Sequence, residues 1–213
     1  MISEWSRRLE RRFGGWAFPQ LASFIIFMNA AIWILSMLKP EFPYLLTLEP
    51  TRIMHGQVWR LFTFLFIPPA MSPLWMIFWL LLLFQFAQAL EHEWGDFQFN
   101  MFYGIGAAAT IGVSFWLGVG LSNLILNASL FLAFATLYPD FELLIFFILP
   151  VKVKWLALLT AAPIAWSAIA GSSYERWAVA AGLANYAAFF GPGWIDKARH
   201  RFGVWQNRRR FRG

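Results

Sequence analysis

Six apolar stretches, divided by polar or Pro/Gly-marked breaks, constrain this chain more than any other feature. A helix needs roughly 20 apolar residues to cross a hydrocarbon core. The first stretch, Gln20 to Leu38, meets that need before Lys39 and Pro40 stop it. Further spans are expected at Pro69–Leu90, Phe97–Leu117, Leu121–Tyr138, Val153–Ala170 and Tyr174–Phe190, the last closing at "GPGW". Composition points the same way. The 213 residues are 60% hydrophobic and include 24 Phe and 13 Trp, so a soluble fold would have to expose large apolar patches. Membrane solvent removes that conflict, because lipid-facing positions are then apolar as well.

Two segments between spans are too polar or too short to cross. Residues 39–67 hold Pro40, Pro43 and Pro50 among charged positions and end in the apolar "LFTFLF". They are expected to lie at the interface as an amphipathic first loop. The run "FELLIFFIL", residues 141–149, is stopped by Pro150, Lys152 and Lys154. As a helix it would reach only about 14 Å, so a shallow connector is expected there. The chain then divides into a basic N-terminus (1–19), a membrane domain (20–192) and a basic tail (193–213).

The net charge of +6 is placed at the span ends. Arg7, Arg8, Arg11 and Arg12 precede the first span, and seven basic residues from Lys197 to Arg212 follow the last. With six spans, thirteen of the 17 Lys and Arg residues share one side, which the positive-inside bias makes the cytoplasm. Anionic headgroups are the expected contacts of these clusters, and no nucleic acid is expected. The absence of Cys excludes disulfides and thiol chemistry. "MISEWSRRLERRFGGWAFP" has no cleavable apolar core, so the first span is expected to act as its own insertion signal.

One stretch, "LILNASLFLAF", places Ser129 just inside an apolar helix, where a membrane-embedded nucleophile would sit. A serine hydrolase also needs a base within hydrogen-bond reach and donors for the oxyanion. The three histidines, His55, His92 and His200, all lie outside the expected spans, and His92 and His200 fall on the side away from Ser129. Lys152 and Lys154 begin the fifth span on that same far side. "EHEW" lacks H-E-x-x-H spacing and reads as a solvated turn, so neither a metal nor a cofactor is expected. Asn127 and Asn185 are polar within spans and are expected to form structural hydrogen bonds. No charge lies in a span interior, which speaks against a small-solute transporter.

Several motifs together resemble the rhomboid-like superfamily. "GQVWRLFTFLF" resembles the Trp-Arg motif of its first loop, here Trp59 and Arg60. "LEHEWG" resembles the Glu-x-x-x-Gly stretch after its second helix, here Glu91 and Gly95. "NASLFLAF" lies where the catalytic helix starts, and "AAGLA", with Gly182, resembles the small-residue sixth helix. The resemblance covers about residues 15–195 and implies an all-α membrane protein. Its fold would be a six-transmembrane-helix rhomboid-like bundle with an interfacial first loop and both termini cytoplasmic. Ser129 matches the nucleophile, but Asn127 and Leu130 replace its flanking glycines. Val179 stands at the base position, and Trp75 and Trp79 stand at the oxyanion positions. This departure resembles the Derlins, which bind transmembrane segments of client proteins in quality control and disturb the bilayer around them. The tail lacks their recognisable motif for recruiting a cytosolic ATPase. The expectation is a non-catalytic, multi-pass pseudoprotease of a bacterial inner membrane or the endoplasmic reticulum. The competing one is an active intramembrane serine protease with Ser129 as nucleophile.

Overall fold

The computed structural model describes residues 4–145 and 149–192; the basic tail and His200 lie outside the described residues. The chain is mostly helical. Among the described residues, three helices are long and apolar enough to cross a membrane: α2 (Leu21–Leu38), α5 (Pro73–Trp94) and α8 (Val153–Ala170). Helix α6 (Asp96–Leu117) is as long as α5, at 22 residues, and carries Gln98, Asn100, Thr110 and Ser114 along its length, whereas the charged residues of α5 gather in its last turn. Helix α7 (Leu124–Leu137) has only 14 residues, shorter than the expected span because Asn123 stays outside it as its cap.

Before the first span, Glu4–Phe13 forms a helix, α1, with Arg8, Arg11 and Arg12 exposed. Two expectations need correction. The shallow connector is a β-hairpin: β1 (Glu142–Ile145) pairs antiparallel with β2 (Leu149–Lys152), with Leu143 opposite Val151. Its physical reason lies in the sequence. An apolar run this short cannot span, Pro150 excludes a helix interior, and Leu143 turns inward between exposed Glu142 and Leu144 with the two-residue period of a strand. Finally, the sixth stretch is not one helix. Helix α9 (Ser173–Gly182) breaks at Leu183, and a second helix, α10, runs over residues 184–192. The capping box of Ser172 and Glu175 starts α9 one residue earlier than expected.

Helix α2 packs on α5, α5 on α6, and α7 sits among α5, α6, α8 and α9. The first N–H groups of α2 have no side-chain cap of their own, since Gln20 is held in the left-handed region at φ 55°. Glu91, near the end of α5, fills the role: its Oε1 accepts from Ala22 N at 3.2 Å. A carboxylate is well suited there, both as acceptor and against the positive end of the helix dipole. Four residues on, Gly95 joins α5 to α6 at φ +82°, a conformation that costs a residue without Cβ little. Asp96 then opens α6 with the charge its N-terminus favours.

The long first loop is tied down rather than loose. It contains two short helices, α3 (Pro50–Met54) and α4 (Arg60–Thr63), with no length to cross. Arg60 is fully buried, and its Nη1 donates to the carbonyls of Tyr44 (3.0 Å) and Thr47 (2.9 Å) and to Thr47 Oγ1. Its Nε donates to Gln57 Oε1 at 2.7 Å, and Trp59 Nε1 reaches the Leu45 carbonyl. Burial holds the guanidinium below its usual pKa, with Arg52 adding to that and Glu49 opposing it. The loop docks on the bundle through Asn123 Nδ2, which donates to Leu65 O and Ile67 O, and through Tyr103, whose hydroxyl also reaches Leu65 O.

Candidate functional site

Helix α7 presents two apolar stripes at helical spacing. Leu126, Ser129, Leu130 and Ala133 form one, and all four are buried. Leu124, Asn127, Ala128 and Phe131 form the other, and they line a cavity. Both sets follow the i, i+3, i+4, i+7 pattern of one helix face, so a serine two residues from Asn127 points to a different side.

On the packed side, Ser129 Oγ donates to the Leu126 carbonyl at 2.6 Å and accepts from Asn185 Nδ2 at 2.8 Å. Asn185 belongs to α10 and is itself fully buried. Its Oδ1 accepts from Tyr186 N, so both ends of the amide are engaged. Two glycines make this approach possible. A methyl at Gly106 of α6 would overlap Leu126 and come within 2.9 Å of Asn185 Nδ2. A methyl at Gly182 of α9 would stand 2.5 Å from Ile125. Small residues thus let α6, α9 and α10 close on α7, as membrane helices do where backbones must meet.

The chemistry available to Ser129 follows from those bonds. Its proton is directed at a backbone carbonyl, and its lone pair receives an amide N–H. Among the described residues, no imidazole, amine or carboxylate shares a hydrogen bond with it. His55 bonds Thr51 O in the first loop, and His92 is exposed at the end of α5. Val179 is buried in α9 and brings no titratable group. Trp75 lies exposed near the start of α5 against Phe78, while Trp79 is half-buried and lines the cavity. Trp59, Arg60, Glu91 and Gly95 lie in the loop and helix contacts described above.

The cavity occupies about 330 Å³ between α5, α7, α8 and Leu143 of the hairpin. Leu82, Leu83 and Phe86 form its α5 wall; Leu156, Leu159 and Thr160 form its α8 wall. Asn127 faces it as the polar residue of α7. Unlike Asn185, its carboxamide has no hydrogen-bond partner among the described residues on either Nδ2 or Oδ1.

Reasoning from sequence singled out the small residues around Gly182 in the sixth stretch and expected a structural hydrogen bond for Asn185, but it did not pair Asn185 with Ser129. It also missed the role of α6, although "GIGAAATIG" is a visible run of small residues. The cavity face was legible in principle as the 124, 127, 128, 131 spacing. Comparison of the chain with protein-family models and with curated proteins finds no match.

Proposed function

We propose that the chain is a six-span, rhomboid-like membrane protein without catalytic activity, and that it holds transmembrane segments of client proteins against α5 and α8. The cavity between them takes side chains of the segment rather than the whole helix. The distribution of basic residues supports a cytoplasmic position for both termini. The role resembles that of Derlins in membrane-protein quality control. The observation that carries this reading is the division of labour on α7. The hydroxyl at the nucleophile position faces inward, bonded to Leu126 and Asn185, while the neighbouring stripe lines an apolar cavity bounded by two helices of membrane-spanning length. An occupant arriving within the bilayer would meet the cavity without meeting an activated serine.

Bilayer perturbation has a physical basis in the same elements. Helix α7 reaches only about 21 Å, and the sixth stretch is broken at Leu183. Lipid around such short elements thins locally, at a fraction of a kcal/mol per Å of mismatch.

Two experiments test the proposal. Purified protein treated with a fluorophosphonate probe should show no labelling that depends on Ser129; such labelling would replace this reading with that of an active intramembrane protease. A photo-crosslinking residue at Leu159, on the cavity wall, should capture a co-reconstituted single-span peptide more often than one at Ile169, exposed on the same helix. Equal capture at both positions would remove the cavity from the proposal.

A further inference from the structure

The cavity face of α7 carries a polar group that the bundle leaves unanswered. Asn127 is more than nine-tenths buried, and both its carboxamide atoms are closed off even from water, without a partner among the described residues. Burying an amide in this way is costly, so such groups are nearly always paired in a resting fold. Its neighbours around the cavity are Leu, Phe and Ala side chains, with Thr160 and the Trp79 indole as the other polar groups. Among the described residues, no carboxylate, ammonium, guanidinium or imidazole lines the space, so none of them would neutralise a charged guest.

The α8 wall is suited to yield. Of its 18 residues only Val153, at the first position, is buried. Pro163 interrupts its ladder, because a proline ring supplies no N–H to the carbonyl four residues earlier. That carbonyl belongs to Leu159, a residue of the cavity wall.

We infer that Asn127 is a selectivity residue, and that the cavity prefers a transmembrane helix bearing a side-chain carboxamide, Asn or Gln. The inference rests on the client-binding reading above and adds what kind of segment is chosen. A carboxamide carries N–H donors and a carbonyl acceptor in one plane, and so can answer both Nδ2 and Oδ1 of Asn127 once the α8 wall has moved aside. An alkyl side chain answers neither. A lipid ester carbonyl accepts but cannot donate. A charged side chain would bring its own unmet desolvation cost. Away from water, a guest amide has few competing partners and Asn127 has none, so pairing removes two unsatisfied groups on the protein and two on the guest.

The test uses the full chain in phosphatidylcholine vesicles and two Leu/Ala-based single-span peptides that differ only in a central Asn or Leu. Energy transfer from labelled protein reports binding, at dilutions where each peptide alone is monomeric. The Asn peptide should bind the unaltered protein about tenfold more tightly than the Leu peptide, the scale set by interhelical hydrogen bonds in membranes. In Asn127→Leu the two affinities should fall to within about twofold, and Asn127→Gln should keep part of the preference. Equal binding of both peptides to the unaltered protein overturns the selectivity while leaving client binding in place. A preference that survives Asn127→Leu also overturns it. Failure of either peptide to bind at all removes the client-binding reading and this inference together. The comparison of peptides on the unaltered protein needs no variant, so it decides the matter even where Asn127→Leu does not fold.

Discussion

Helices α7 and α8 are close in composition and opposite in circumstance. Half of the 14 residues of α7 are buried, whereas α8 buries one of 18 and exposes Trp155, Leu158, Leu159, Trp166 and Ile169. In water that exposure would be ruinous; in lipid it is neutral, because hydrocarbon tails are as apolar as leucine. The difference between the helices is therefore not hydrophobicity. Helix α7 is central because its small and polar positions are answered by other helices: Ser129 by Asn185, Ile125 by Gly182, Leu126 by Gly106. Helix α8 has a proline and few such matches, and it remains at the edge.

The comparison can be broken most directly by truncating matched leucines. Leu130→Ala on α7 should destabilise by about 2–4 kcal/mol, through lost dispersion contacts and the void left behind. Leu158→Ala on α8 should stay within about 0.5 kcal/mol, since lipid refills the space. Thermal unfolding in one detergent checks both, and equal losses would mean that α8 is packed as α7 is. Next in size, Ser129→Ala should cost about 1–2 kcal/mol by leaving the buried Asn185 amide without its acceptor. A serine held only for a lost reaction would show no such cost.

Asn127→Leu should change stability in the opposite direction. Replacing a buried amide that has no partner among the described residues with an alkyl group should raise stability by about 1 kcal/mol, seen as a higher unfolding midpoint. The two polar substitutions on one helix thus have opposite signs, which separates a group used in packing from a group kept for a guest. A destabilised Asn127→Leu would show that the amide has a structural partner after all.

The smallest effect concerns the hairpin at the foot of α8. Lys154, with Lys152 further off, holds the Asp140 carboxyl below its usual value of 3.8. A depressed carboxylate pKa adds stability above the ordinary value, and that contribution fades as pH falls through 3.8 toward the lowered pKa. The group is fully exposed, so the consequence is local. Amide protection at Lys154 and along β2, taken relative to the intrinsic exchange rate at each pH, should fall below about pH 4 in the unaltered protein and lose that pH step in Asp140→Asn. No change should reach α7.

What was legible in the sequence differs by element. Span five was placed to the residue: Lys152 stands just before it, Lys154 lies in its first turn, and Gly171 follows the apolar run. The second span was placed four residues early at both ends. The helix starts at Pro73 with Ser72 as its N-cap, and the polar "EHEW" remains helical through Trp94, with Glu91 accepting from the start of α2. The hairpin was missed because a short apolar run has no period long enough to separate strand from buried connector. Trp59-Arg60 stood out as a motif. Its partners are backbone carbonyls of Tyr44, Leu45 and Thr47, which no side-chain pattern announces.

By itself, the sequence determined that this is a mostly helical chain with stretches suited to cross a membrane, and that its basic residues gather at the ends of those stretches. Both follow from transfer energies that each segment carries wherever it folds. Tertiary structure decided which apolar helix becomes the centre, which asparagine is satisfied, and which way Ser129 points. Those outcomes depend on what stands across from each residue. In a chain where nearly every face is apolar, hydrophobic patterning cannot choose the inward one, and the choice falls to close approach at glycine and to hydrogen bonds between helices.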